Sequence, residues 1–152
     1  MSDDPMVPPP PTSVRIERSF SASPDAVWRA WTDAKMVSRW FGSDPAGRVL
    51  AARMEVRSQG PFEVTFADSD GSEHTCSGTY LEVSPVSKLS FSWHWQSEPG
   101  IETFVQVSLD PLGAGTRMWF EHAGLNATST HDYAAGWQRT FEKLARVLEA
   151  TL

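Results

Sequence analysis

The C-terminal part of the chain, residues 131–152, carries the pattern that most restricts how this protein can fold. Its large apolar side chains are separated by four, four, three and four residues, which places them on one stripe of an α-helix: Tyr133, Trp137, Phe141, Leu144 and Leu148. Because each aromatic ring can bury on the order of 150–250 Å², the stripe needs a broad apolar surface to cover it. The sequence therefore predicts a long C-terminal helix packed on a wide partner, with an N-cap from the hydroxyls of residues 128–130.

The middle of the chain predicts that partner. Apolar and polar residues alternate in residues 14–20 and again in short stretches across residues 49–122, with turn residues between the stretches. Such alternation is typical of an antiparallel sheet with one covered face. Between the first strand and the others, Ser23 and Pro24 predict a helix start, and two short helices should end at Gly42. The order predicts an α+β fold, a curved antiparallel sheet of about six to seven strands wrapped around the long C-terminal helix.

The chain's composition predicts its domain organisation and excludes some partners. Residues 1–12 include four consecutive prolines, which favour an extended, flexible tail, and residues 13–152 have the length of a single domain. A net charge of −6 without any basic run argues against a nucleic-acid partner, so we predict none. No apolar run is long enough for a membrane span, and no signal peptide is recognisable. Together with the lone Cys76, these features predict a cytoplasmic protein.

The aromatic content predicts where a ligand would bind. Seven Trp, eight Phe and two Tyr are many for this length, and most fall on the inward faces of the predicted elements. One interpretation is a tightly packed core; the other is an apolar cavity for a small organic molecule between the sheet and the last helix. The second interpretation gives eight candidate ligand-binding residues: Trp40, Phe66, Trp93, Trp95, Phe120, His122, Tyr133 and Trp137.

Motifs for catalysis or metal binding are not recognisable in the sequence, so we predict no catalytic residue, metal or cofactor. The histidines lack metal-ligand spacing, and the strand carboxylates of Glu63, Glu102 and Glu121 should point away from the covered face. His122 allows two interpretations, because it shares the inward face with Met118. It could bond a polar atom of a ligand, or it could be a core histidine bonded to backbone or to the final helix.

Several short motifs follow one another in a recognisable order and spacing: FSASPDAVW from Phe20, WTD from Trp31, RWFG from Arg39, VR from Val56, GPF from Gly60, GTYLEVSP from Gly78, LSFSW from Leu89, GTR from Gly115, EH from Glu121 and GW from Gly136. With them the chain resembles, over residues 14–152, the bacterial branch of the activator of heat-shock-protein-90 ATPase homologue family in the START-like (SRPBCC) superfamily. One departure is Gln59, which precedes Gly60 where the family commonly has two adjacent glycines, so the shape of that turn stays open.

The resemblance implies a helix-grip fold with a cavity between sheet and helix, but it does not identify one function. Relatives bind lipids, sterols, polyketides or hormones, some are cyclases or hydrolases, and the eukaryotic namesake stimulates a chaperone ATPase. Three hypotheses remain: a cytoplasmic binder of a small, mostly apolar ligand, a cyclase- or hydrolase-type enzyme with His122 as acid or base, and a chaperone-associated protein. Outward-facing Phe104 and Trp119 could serve a chaperone or a homodimer interface.

Overall fold

The computed structural model describes residues 13–125 and 132–150. In these ranges the elements are β1 (Ser13–Phe20), α1 (Pro24–Thr32), α2 (Ala34–Trp40), β2 (Arg48–Met54), β3 (Pro61–Ala67), β4 (Glu73–Ser84), β5 (Lys88–Trp95), β6 (Thr103–Leu112), β7 (Gly115–Ala123) and α3 (Tyr133–Ala150). The predicted α+β fold and its order of elements are confirmed. The predicted tail of residues 1–12 and the predicted N-cap hydroxyls of residues 128–130 lie outside the described residues.

The described strands form one antiparallel sheet in the order β1-β7-β6-β5-β4-β3-β2. Hairpins join β2 through β7 in sequence, whereas β1 pairs with β7, for example with Ile16 opposite Phe120. The helices α1 and α2 therefore connect the two outer strands of the sheet. Among residues 13–125 and 132–150, no helix has the length and apolar character needed to cross a bilayer.

Bulges and a close strand contact shape the sheet around α3. The register shifts between Val49 and Ala51 in β2, and again between Tyr80 and Glu82 in β4. A bulge adds a residue to one strand only, so it bends that strand and increases its twist. Gly78 of β4 lies so near the Ser92 carbonyl of β5 that a Cβ atom there would overlap it. The bulges thus bend β2 and β4, and the missing side chain of Gly78 allows β4 and β5 to lie close together.

The concave face of the sheet covers the apolar stripe of α3. Trp137, Phe141, Leu144 and Leu148 are buried, and Tyr133 is half-buried at the start of the helix. Phe120 of β7 packs against two of these rings, with centroids 4.6 Å from Trp137 and 5.0 Å from Phe141. The predicted contact between helix stripe and sheet is therefore present.

Among the described residues, Asp132 makes the capping contacts at the start of α3. Asp132 accepts a hydrogen bond from the Ala135 N–H through its carboxylate at 3.1 Å, and its carbonyl accepts from Gly136 N–H at 2.9 Å. Those are the contacts of an N-cap residue. The side chain of an aspartate directly before a helix is short enough to accept from the free N–H groups of the first turn. Asp132 is therefore the N-cap residue among the described residues.

The turn before β3 also has a defined shape. Gln59 adopts a left-handed conformation with φ of 68°, and its N–H donates to the Tyr80 carbonyl at 2.8 Å. The Gly60 carbonyl accepts from the Tyr80 N–H at the same distance. Two hydrogen bonds to β4 therefore hold a glutamine in a backbone conformation that glycine adopts more easily.

Candidate functional site

A cavity of about 220 Å³ lies between the first turns of α3, the segment that follows α2, and strands β3 to β5. Its wall combines aromatic rings with a few polar groups from Phe41, Gly42, Ser43, Phe66, Asp68, His74, Trp93, Trp95, Asp132, Tyr133, Gly136, Trp137, Arg139 and Thr140. The inward faces of the strands and the apolar stripe of α3 meet at this place, so three separate segments supply the rings.

Five of the eight predicted ligand-binding residues lie on this wall: Phe66, Trp93, Trp95, Tyr133 and Trp137. Trp93 and Trp95 are alternate residues of β5, which places both rings on one face, and their centroids are 5.2 Å apart at an interplanar angle of 89°. The indole N–H of Trp95 donates to the Tyr133 hydroxyl at 3.0 Å. This bond joins the end of β5 to the start of α3 and fixes two sides of the cavity.

The structure places the other three predicted residues, Trp40, Phe120 and His122, off the wall. Trp40 ends α2 and is fully buried, with its indole N–H donating to the Ala30 carbonyl at 2.9 Å. Phe120 packs between Trp137 and Phe141, as described above. Because Phe41 follows the helix in an extended conformation, its ring, rather than that of Trp40, turns towards the cavity. In the structure these three residues therefore pack behind the cavity wall rather than on it.

His122 forms the centre of a buried hydrogen-bond relay. The Trp137 indole N–H donates to His122 Nδ1 at 2.9 Å, which leaves the ring proton on Nε2. His122 Nε2–H then donates to Thr103 Oγ1 at 2.7 Å, and Thr103 donates to the Trp93 carbonyl at 3.2 Å. The relay connects α3, β7, β6 and β5 behind the cavity.

Burial keeps His122 neutral. The ring is fully buried, and loss of hydration lowers the pKa of His122 to about 3 because the charged form is disfavoured away from water. Both ring nitrogens are bonded, and the side chain is absent from the cavity wall. His122 therefore has neither a free nitrogen nor the access that the acid–base hypothesis requires, and its geometry matches the interpretation as a core histidine bonded to the final helix.

The polar side of the cavity was not predicted from the sequence. His74 Nε2 lies 2.8 Å from Asp68 Oδ2 across the hairpin between β3 and β4. His74 is directly opposite Phe66 in the register, so both side chains share the inward face. Alternation with buried Cys76 could have placed His74 on that face. Arg139 could not be found in this way, because the helical spacing assigns it to the solvated face of α3, opposite the apolar stripe.

The loop after α2 is fastened to the other sides of the cavity through Asp44. Its carboxylate accepts from the Ser69 N–H at 2.7 Å and from Ser69 Oγ at 2.8 Å, and its carbonyl accepts from Lys143 Nζ at 3.0 Å. The hydrogen bonds from Ser69 and Ala46 hold the pKa of the Asp44 carboxyl below its usual value, while burial lowers the pKa of Lys143. Loop, hairpin and α3 are thereby joined around the cavity.

The remaining candidates do not form a reactive centre in the described ranges. No group of three or more His, Cys, Asp or Glu side chains there could hold a metal ion. Cys76 is fully buried, and burial raises the pKa of its thiol, which disfavours a thiolate. His94 faces away from the cavity and bonds Ser77 at 3.0 Å. Glu63 and Glu102 are exposed, as strand alternation predicts.

The two aromatic residues of the outer face are exposed, as expected, but they are far apart. Phe104 and Trp119 have 44% and 45% of their surface exposed. Phe104 pairs with Ala123, and Trp119 pairs with Ser108, so four residues of strand, about 13 Å, separate them. Because the rings do not form one apolar patch, an interface through this face stays a prediction.

Comparisons with known proteins agree with the fold. The family model described as Activator of Hsp90 ATPase homolog 1-like protein matches residues 21–149. A protein from Nitrosomonas europaea has a similar solved structure, with 20% identity, a TM-score of 0.80 and coverage of 92% of this chain and 96% of that chain. The AHSA1-like protein from Aeromonas hydrophila has 24% identity, a TM-score of 0.79 and coverage of 91% and 93%. The AHSA1 protein from Silicibacter pomeroyi has 24% identity, a TM-score of 0.76 and coverage of 92% and 99%. A search of curated proteins finds no match.

Proposed function

The chain belongs to the family of Activator of Hsp90 ATPase homolog 1-like proteins, and on that premise we propose that it binds a small, mostly apolar molecule between α3 and the sheet. The observation that carries the proposal is the cavity of about 220 Å³, which six aromatic rings line: Phe41, Phe66, Trp93, Trp95, Tyr133 and Trp137. Ligand sites are commonly apolar clefts with a few placed polar groups, and Asp68, His74 and Arg139 supply such groups here.

The volume limits the size of the ligand. Pockets for drug-sized molecules have volumes of about 300–1,000 Å³, and this one is smaller at about 220 Å³. An apolar cavity of about 150 Å³ holds benzene. The ligand class is therefore a molecule of one or two rings.

We also propose a cytoplasmic location for the protein. The lone reduced thiol of Cys76 is compatible with it.

Gly136 provides the test, because it lies on the cavity wall in the middle of a helix turn. Among the described residues outside the helix itself, a Cβ atom there would meet the Ser43 Cβ alone, at 3.9 Å. Gly136→Leu should therefore fill the cavity while favouring the helix. The matched control is Ala134→Leu, two residues away on the exposed side of α3.

The measurement is a titration with benzene, toluene and naphthalene, followed by the indole NMR signals of the tryptophans. We expect saturable shifts in the natural protein and in Ala134→Leu, and their loss in Gly136→Leu with the fold retained. Absence of saturable binding in the natural protein, or full binding in Gly136→Leu, would contradict the proposal.

A further inference from the structure

Two indole N–H groups in the core lack a hydrogen-bond partner among residues 13–125 and 132–150: those of Trp31 and Trp93. Both side chains are buried, with 5% and 3% of their surface exposed. An indole nitrogen can only donate a hydrogen bond, and buried donors nearly always find an acceptor. Each of the two groups therefore calls for an acceptor that is not among these residues.

Other tryptophans in the protein show how consistently the fold supplies acceptors. The indole N–H groups of four of them donate to named protein atoms: Trp40 to the Ala30 carbonyl, Trp95 to the Tyr133 hydroxyl, Trp119 to the Asp110 carboxylate and Trp137 to His122 Nδ1. Trp93 is an exception on the cavity wall itself.

The ring neighbours of Trp93 have no acceptor to offer. Its ring centroid lies 5.2 Å from Trp95, 5.4 Å from Trp137 and 5.5 Å from His122. Trp95 and Trp137 are donors, and both nitrogens of His122 are used within the relay. Phe41, at 5.9 Å, is apolar. Among the described residues, these neighbours therefore leave the Trp93 N–H without an acceptor, which a molecule in an adjoining cavity can supply.

Trp93 and Phe41 separate the large cavity from a second one of about 30 Å³, whose wall also includes Trp31. The second cavity is comparable to the volume of a single water molecule, roughly 30 Å³ in the liquid. Of these two cavities, Trp31 lines the small one alone, whereas Trp93 lines both. Of these two unpartnered donors, Trp93 alone therefore lies on the wall of the cavity of about 220 Å³, which can hold an organic molecule.

We propose that the ligand carries an uncharged acceptor oxygen, of the ketone, aldehyde, ester or ether class, and that the Trp93 indole N–H donates to it. The inference rests on the proposed function and names the ligand's chemistry. An uncharged acceptor suits this position better than a carboxylate, because one neutral N–H among rings compensates poorly for the burial of a full charge. The rest of the ligand is an apolar ring system that contacts the aromatic side chains of the wall.

A matched pair of probes tests the proposal: 2-acetylnaphthalene, which has a carbonyl, and 2-ethylnaphthalene, which has a methylene in its place. Calorimetric titration gives the affinity ratio of the ketone to the hydrocarbon. In the natural protein we expect the ketone to bind about three- to tenfold more tightly, as one net hydrogen bond allows. The ratio should fall to about one or below in Trp93→Phe, because the carbonyl oxygen of the ketone is then buried without a hydrogen-bond donor.

Trp31→Phe is the control, since it removes the same donor from a residue that lines the small cavity alone. It should leave the ratio unchanged. The Trp93 indole proton, assigned by its absence in Trp93→Phe, should move downfield with the ketone and not with the hydrocarbon. This NMR reading uses the natural protein and does not depend on the folding of a variant.

The outcomes separate the two proposals. If neither probe binds, the proposed function fails. If both bind equally in the natural protein, the function stands and the acceptor proposal is overturned. A ketone preference that survives Trp93→Phe, or that only Trp31→Phe removes, also overturns the assignment to Trp93.

Discussion

The indole of Trp137 donates a hydrogen bond to Nδ1 of His122 across 2.9 Å, and this bond joins α3 to the last strand of the sheet inside the core. One face of Trp137 belongs to the cavity, while its N–H is committed to the relay behind the cavity. The relay thus sets the orientation of a ring on the proposed binding wall. A site of this kind keeps its shape only while its supporting hydrogen bonds are complete.

His122→Ala should lower the free energy of unfolding by about 3 kcal/mol, because it leaves the Trp137 N–H without an acceptor, removes the partner of Thr103 and opens a void. Urea denaturation measures this change. His94→Ala is the control, since His94 lies on the outer face with a single bond to Ser77, and it should cost less than about 1 kcal/mol. Equal costs for the two variants would contradict a structural relay.

The pH dependence of stability should carry the signature of His122. Its pKa is about 3 in the folded protein against 6.5 for an ordinary histidine, so between these values the unfolded chain binds a proton that the folded protein does not. The contribution of His122 to stability is therefore complete above pH 6.5 and is lost as the pH falls towards 3. From pH 7 to pH 5 the loss should be about 2 kcal/mol.

His122→Gln is the reference for that measurement, because an amide can occupy the relay without titrating. Unfolding free energies of both proteins, measured at pH 7, 6 and 5, give the difference that belongs to His122 and cancel the other titrating groups. Parallel pH profiles for the two proteins would show that His122 is not held neutral by the core.

How far the sequence predicted the site is illustrated by the contrast between Trp95 and Trp40. The period of β5 and of the helix stripe indicates which face a residue takes, and this placed Trp95, Trp137 and their neighbours correctly on the concave side. Whether a residue on that face lies in the core or at the cavity depends on where its helix or strand ends. Trp40 is the last residue of α2 and points into the core, whereas Phe41 is already extended and reaches the cavity.

The polar rim needed a different kind of information. Asp68 and His74 meet because of the register of one hairpin, which alternation alone does not fix. The acceptor of the Trp137 N–H comes from a strand fifteen residues earlier in the chain, so the neutral state of His122 could not be predicted from its own surroundings in the sequence. The sequence therefore predicted which face of a helix or strand a residue occupies, but it did not predict which residue of another element it contacts.

Gln59→Gly should stabilise the protein by about 1 kcal/mol, because Gln59 holds a φ of 68° that costs a non-glycine residue about 1–2 kcal/mol, part of which glycine loses again to chain entropy. Thermal unfolding measures the change. Ser58→Gly is the matched control, since Ser58 is exposed and its φ is not positive; glycine there should only destabilise. An unchanged or lower midpoint for Gln59→Gly would mean that this turn carries no strain.

Gly136→Ala should raise the free energy of unfolding by about 1 kcal/mol, because alanine favours the helix interior over glycine by that amount. The new methyl group would meet Ser43 at an ordinary contact distance of 3.9 Å, and no other described residue outside the helix comes within 4 Å. Urea denaturation gives the change in stability. A destabilised Gly136→Ala would show that the wall at this point is already closed by other atoms.

The same substitution at Gly78 should have the opposite sign. A Cβ atom on Gly78 would overlap the Ser92 carbonyl of the neighbouring strand and would lie 2.9 Å from Cε1 of Phe62. Backbone cannot retreat as a flexible side chain can, so β4 and β5 would have to separate, and we expect Gly78→Ala to cost about 3 kcal/mol or more. Comparison of the two alanine variants under one set of denaturation conditions tests whether β4 is pressed against β5. If Gly78→Ala were as stable as the natural protein, the strands at this position would be further apart than the structure has them.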